Sequence, residues 1–154
     1  MELNKEKYLT EGECISSAGV KLNSYYDFLK ALTDKYFLGY AERKIKEFVR
    51  CNLVGIETFG TLLLMYIVGR CPTFYINPIY LYKKRTHGAK KQLYYSEYRV
   101  ELPTYLLDDV ITTGSTIKYA LDVLKRENII PTKILCFKNR SPYPSVEGLE
   151  IIEL

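Results

Sequence analysis

An apolar run that ends in two adjacent acids constrains this chain more than any other feature. Tyr105-Leu106-Leu107 reads as a buried parallel strand, because consecutive apolar residues imply cover on both faces. Asp108 and Asp109 then fall at its C-terminal end, where open α/β sheets place their ligands. The turn Thr112-Thr113-Gly114-Ser115-Thr116 supplies hydroxyls and backbone N–H groups, and Gly114 lets the chain approach an anion closely. The helix beyond the turn adds its positive N-terminal end. Such a unit can grip vicinal hydroxyls with the carboxylates while the turn holds a phosphate one sugar length away.

The rest of the chain is consistent with one α/β domain over residues 1–154, a length sufficient for a real core. A formal charge of +4 suits an anionic substrate and is too small to argue for nucleic acid. Cys14, Cys51, Cys71 and Cys136 are widely spaced, and His87 is the sole histidine, so a zinc-type site is not expected. Reduced thiols in a cytoplasmic protein are the expectation. The start of the chain has no apolar core of the signal-peptide kind, and Leu62–Val68 is too short to span a bilayer.

Residues 1–27 read as polar and irregular. Phe28–Arg50 reads as a helix broken near Gly39, Asn52–Ile56 as a strand, and Gly60–Val68 as an apolar helix ended by Gly69. Thr73–Tyr82 is β-rich but interrupted by Asn77-Pro78. Residues 85–99 are basic, polar and aperiodic, which reads as a mobile surface loop. In Ser115–Lys125, Ile117, Ala120, Leu121 and Leu124 share one helical face. Thr132–Phe137 and Leu149–Ile152 are further strands. The alternation predicts a mainly parallel sheet flanked by helices.

Two other segments carry chemistry. Glu57-Thr58-Phe59-Gly60 repeats the strand–turn–helix order and can present backbone amides to a second anion. Tyr82–Lys91 gathers Lys83, Lys84, Arg85, Lys90 and Lys91 around His87. Charge runs of this kind are usually solvated faces.

The string Leu106–Thr116 resembles the signature of the type I phosphoribosyltransferases, enzymes that use 5-phosphoribosyl 1-pyrophosphate (PRPP). The resemblance implies that Asp108 and Asp109 hold the ribose hydroxyls and that Thr112, Thr113, Gly114, Ser115 and Thr116 wrap the 5′-phosphate. It implies a pyrophosphate loop at Glu57, Thr58, Phe59 and Gly60, a place where this family often has a non-proline cis peptide. Within the family the chain is most similar to orotate phosphoribosyltransferase. Lys83 and Lys84 match that enzyme's basic pair, Arg85 stands where it has a lysine, and His87-Gly88 matches its His-Gly, with the spacing about two residues short.

From the same resemblance, Lys84, Arg85 and His87 would stabilise departing pyrophosphate together with Mg²⁺ bound mainly through the substrate. The segment 84–102 would be a mobile catalytic loop reaching the neighbouring subunit of a homodimer. Residues 1–30 would form a reduced hood, with Ser16, Tyr25 and Tyr26 at the base and Arg140 on the orotate carboxylate. The expected activity is transfer of ribose 5-phosphate from PRPP to a nucleobase, orotate first. The alternatives are a purine (xanthine or adenine) enzyme, or a PRPP-sensing regulator that binds nucleic acid. The His87 loop argues against the regulator, and neither nucleic acid nor a membrane is an expected partner.

Overall fold

The computed structural model describes residues 2–16, 19–48, 50–70, 76–83 and 91–154. A 3₁₀ turn at Lys5–Tyr8 leads into strands β1 (Leu9–Ile15) and β2 (Lys21–Tyr26), then helices α1 (Phe28–Ala31) and α2 (Lys35–Lys46). Strand β3 (Cys51–Ile56), helix α3 (Phe59–Arg70), and strands β4 (Ile76–Leu81), β5 (Leu93–Tyr94) and β6 (Thr104–Ile111) come next. Helix α4 (Ser115–Arg126) and strands β7 (Lys133–Asn139), β8 (Ser145–Val146) and β9 (Leu149–Glu153) complete the described elements.

Seven strands form one sheet in the order β5-β4-β3-β6-β7-β9-β8. All pairs from β4 to β9 are parallel, and β5 and β8 add short antiparallel edges. Successive strand residues point to opposite faces, and here both faces are covered. Leu53, Leu107, Leu135 and Phe137 join α1, α2 and α3 in one core. Val54, Leu106, Ile134 and Cys136 join α4 in the other. This two-sided cover explains why β3 is buried at every position.

The N-terminal 27 residues differ from the irregular segment expected. β1 and β2 form an antiparallel hairpin with a register shift between Glu11 and Cys14. Its root is fastened by Asp34, whose carboxylate accepts from Lys7 Nζ (2.6 Å), Tyr8 Oη (2.8 Å) and the backbone N–H of Tyr36 (2.9 Å). That last bond caps α2, so the helix break falls at Leu32–Asp34 and not at Gly39, which lies inside α2.

The donors around Asp34, with the Lys7 hydrogen bond first, lower its carboxyl to about 2 from 3.8. A lowered folded-state value means stabilisation that is complete above pH 4 and is lost as pH falls towards 2. Asp34→Ala is therefore expected to lower the melting temperature at pH 7, with the difference from wild type closing by pH 2. A constant difference across that range would contradict the assignment.

Two further departures have simple causes. Asn77-Pro78 does not interrupt β4, because β5 pairs only with Tyr80 and Leu81. At Pro78 the strand is an edge, where a missing N–H is tolerated. Leu93–Tyr94 is a strand in the stretch read as loop, and Asn52, fully buried, pins the segment between β5 and β6. Its side chain donates to the carbonyls of Arg99 (2.8 Å) and Leu102 (3.2 Å) and accepts from Arg99 N (3.1 Å). Cys51 and Cys136 are free and buried, their thiols pushed up to about 12 by burial, which makes them inert.

Candidate active site

β3 leads through α3 to β4 on one side, and β6 leads through α4 to β7 on the other. The neighbours β3 and β6 therefore send their connections in opposite directions, which opens a crevice at their C-terminal ends. β3 pairs with β6 only as far as Gly55–Leu107, whereas β6 continues beside β7 to Ile111–Asn139. The acids lie within this overhang rather than after the strand. Asp108 is buried, and its Oδ1 accepts from Asp109 N (3.0 Å); Asp109 Oδ1 accepts from Val110 N (2.7 Å).

Adjacent strand positions point to opposite sides, so each acid borders one space that the other does not. Asp108 reaches a small cavity of about 20 Å³ with Thr112, Gly114, Ser115, Thr116 and the start of α4. Asp109 borders a cavity of about 300 Å³ with Ser16, Tyr25, Tyr26 and Arg140. Both acids line a middle cavity of about 210 Å³ with Glu57, Thr58, Phe59, Lys83 and Thr116. A larger cavity of about 500 Å³, between Lys5, Arg43 and Glu153, shares none of these residues, so volume alone does not mark the site.

The electrostatics stem from this enclosure. Burial raises the Asp108 carboxyl well above the usual carboxylate range, with the neighbouring Asp109 charge adding to it. Burial also raises Asp109. Lys83 lines the middle cavity with both acids, and its charge acts to lower both.

The turn after β6 can present backbone N–H groups to an anion. Gly114 has φ +76° and stands at the N-terminus of α4 without a side-chain cap. A Cβ there would come within 2.9 Å of Val146 Cγ2, so glycine satisfies both the backbone and the packing. Thr113 Oγ1 accepts from Ser115 N (3.3 Å). In the second turn the Glu57–Thr58 peptide bond is cis. Phe59 points into the aromatic core, 5.6 Å from Phe137 and 6.0 Å from Phe28. Gly60 is pressed against the backbone of Leu107.

The hairpin forms one wall of the 300 Å³ cavity. Tyr26 stacks on Phe28 (5.6 Å, 9°) and donates to Glu6 Oε1 (2.7 Å), while Tyr25 is the more exposed of the two. Arg140, the residue after β7, donates from Nη1 to the carbonyl of Ser24 (2.7 Å) in the hairpin. Cys14, Leu22 and Leu29, which also line these cavities, carry no sequence signal beyond ordinary apolar patterning. Lys84, Arg85 and His87 lie outside the described residues, as does Cys71.

No protein-family model matches the chain. An orotate phosphoribosyltransferase from Thermoplasma volcanium is 23% identical over 139 residues, covering 90% of this chain and 82% of that protein. The orotate phosphoribosyltransferase of Aeropyrum pernix superposes with a TM-score of 0.69 at 19% identity, over 97% of this chain and 88% of that one. The UMP synthase of Leishmania donovani gives 0.72 at 15% identity, over 96% of this chain and 33% of that one. An adenine phosphoribosyltransferase from Thermoanaerobacter pseudethanolicus gives 0.60 at 15% identity, over 97% and 96%. The fold is that of the type I phosphoribosyltransferases, and the chain is similar in sequence and in structure to orotate phosphoribosyltransferases.

Proposed function

We propose that the protein transfers ribose 5-phosphate from PRPP to a nucleobase, with orotate as the acceptor, and releases pyrophosphate. One observation carries the reading: Asp108 and Asp109 stand between three cavities, bordering a Thr/Gly/Ser cradle on one side and the Tyr25–Arg140 space on the other. A phosphorylated sugar needs that order. The 5′-phosphate goes to Thr112–Thr116 at the N-terminus of α4, and the ribose hydroxyls go to the acids. The pyrophosphate goes to the middle cavity beside Lys83 and Glu57–Gly60, and the base goes under the hairpin.

The chain acts by position and charge more than by proton transfer. Asp108 and Asp109 accept hydrogen bonds from the sugar and lie beside the positive charge that develops as the C1–oxygen bond breaks. Lys83 offsets charge on the departing pyrophosphate, with Lys84, Arg85 and His87 proposed to join it. Arg140, held by Ser24, retains guanidinium N–H groups for a planar carboxylate. Tyr25 and Tyr26 wall the same space.

The carboxylates of Asp108 and Asp109 are hard oxygen donors bordering one cavity, a set that suits Mg²⁺ taking its other ligands from substrate oxygens and water. Among the described residues no three His, Cys, Asp or Glu side chains stand together as a metal cage. When bound, the ion would neutralise charge on the phosphates. The reading includes a cytoplasmic homodimer in which segment 84–102 reaches the neighbouring site. Leu62 and Met65, exposed on α3, offer an apolar face for a second copy. No described helix is long and apolar enough to cross a membrane.

A pyrophosphate-release assay with PRPP, Mg²⁺ and a panel of orotate, xanthine, adenine and other bases tests the reading. Turnover with orotate alone is expected. Turnover with a purine alone would move the acceptor, and PRPP binding without turnover on any base would replace the enzyme by a sensor.

A further inference from the structure

Lys83 is a long, flexible cation, yet the backbone that carries it is held from three directions. Its own N–H donates to Glu57 Oε2 at 2.6 Å. The preceding residue, Tyr82, donates its N–H to the carbonyl of Gln92 at 2.8 Å. The Tyr82 carbonyl accepts from Tyr119 Oη at 3.3 Å, and the same hydroxyl accepts from Gln92 Nε2. Tyr119 stands about one turn into α4, whose first residues form the anion cradle. Glu57 opens the second turn of the crevice. Both ends of the crevice are thus tied to the two residues that deliver Lys83.

The charge of Glu57 makes its role specific. A carboxylate in a space meant for pyrophosphate repels the ligand, unless it serves another group. The Lys83 N–H is that group. Tyr119 likewise places a half-buried hydroxyl between two strand ends, where a phenylalanine of the same shape would fill the space without joining them.

Resting on the PRPP reading above, we propose that Glu57 and Tyr119 are positioning residues that fix Lys83 against the Asp108–Asp109 pair. Neither touches the reacting atoms. They turn a mobile surface cation into a preorganised one, which matters because small misplacements of a charged group are costly in rate.

The test is a set of cycles built on Lys83→Ala, with Glu57→Ala, Glu57→Gln and Tyr119→Phe made alone and in that background. Calorimetry with inorganic pyrophosphate and with PRPP reads binding, and pyrophosphate release reads turnover. Glu57→Ala and Tyr119→Phe are each expected to weaken PRPP binding about 10-fold. The KM for the base should stay unchanged, and Glu57→Gln, which keeps an acceptor, should recover most of the loss. In the Lys83→Ala background the further loss should be below about 2-fold. Equal losses with and without Lys83 would overturn the proposal, as would tighter binding in Glu57→Ala, the result for a mere repelling charge. Absence of turnover with intact pyrophosphate binding would sink the transferase reading alone, because the binding cycles would still decide the role of these two residues. A wild-type protein that binds neither probe would overturn both.

Discussion

Asp108→Asn is expected to abolish most PRPP turnover while making the folded protein more stable at neutral pH. Replacing a charged acceptor by a neutral one of the same shape removes a charge-assisted bond to the sugar, and the loss should be about 10²-fold. Asp109→Asn should likewise lose most activity without unfolding the domain. Full activity in either variant would defeat the ribose assignment.

The stability half rests on burial. The Asp108 carboxyl is raised by desolvation first and by the Asp109 charge second. A carboxyl whose folded-state value lies above its unfolded one holds protons more tightly when folded. Stability is therefore undiminished below pH 4 and declines as pH rises from there towards the folded-state value. Asparagine does not titrate, so Asp108→Asn should melt above wild type at pH 7 and lose that advantage at pH 4. Each ~1 kcal/mol would appear as ~2–4 °C at this chain length. Equal melting temperatures at both values would remove the electrostatic explanation. On the PRPP reading, two acids stay crowded in a buried site to hold the sugar, and ligand with its cations should relieve the strain of that charge.

The same acids show how far the residues alone could lead. An apolar run, an acid pair and a Thr/Gly turn mark the strand, the acids near its C-terminal end and the turn before α4, because each is local in sequence. The helix break at Leu32–Asp34 was not legible, since it depends on Asp34 reaching back to Lys7 and Tyr8. The hairpin was missed for a similar reason: its short strands have little apolar alternation, and β2 gains its place through Arg140, 116 residues from Ser24. The chain's 15 tyrosines also gain a partial meaning. The hydroxyls of Tyr8, Tyr26 and Tyr119 each bridge distant segments, to Asp34, Glu6 and Tyr82. A partner so far away in the chain leaves no trace in local periodicity.

Gly60→Ala should be the most damaging single methyl in the crevice. A Cβ at Gly60 would collide with the carbonyl oxygen of Leu107, the residue before Asp108, and would come within 3.2 Å of the Gly55 backbone. Gly55 is constrained in the same way, since its own Cβ would fall 2.5 Å from the Gly60 carbonyl oxygen. The start of α3 and the ends of β3 and β6 thus meet backbone to backbone, and none of these atoms can swing aside as a side chain would. Relief requires Glu57–Gly60 to lift from β6, at a cost of ~1–3 kcal/mol or more. That corresponds to a fall of ~2–4 °C in melting temperature per ~1 kcal/mol. Lifting the turn also withdraws it from the middle cavity, so pyrophosphate affinity should drop while ribose 5-phosphate, held at Thr112–Thr116, still binds. Gly39→Ala is the contrasting case. That glycine lies within α2 with nothing within 4 Å of its would-be Cβ, and the change should raise stability by ~0.5–1 kcal/mol. A neutral Gly60→Ala would mean that the Glu57–Gly60 turn is not packed against β6, and the pyrophosphate assignment of Glu57–Gly60 would fall with it.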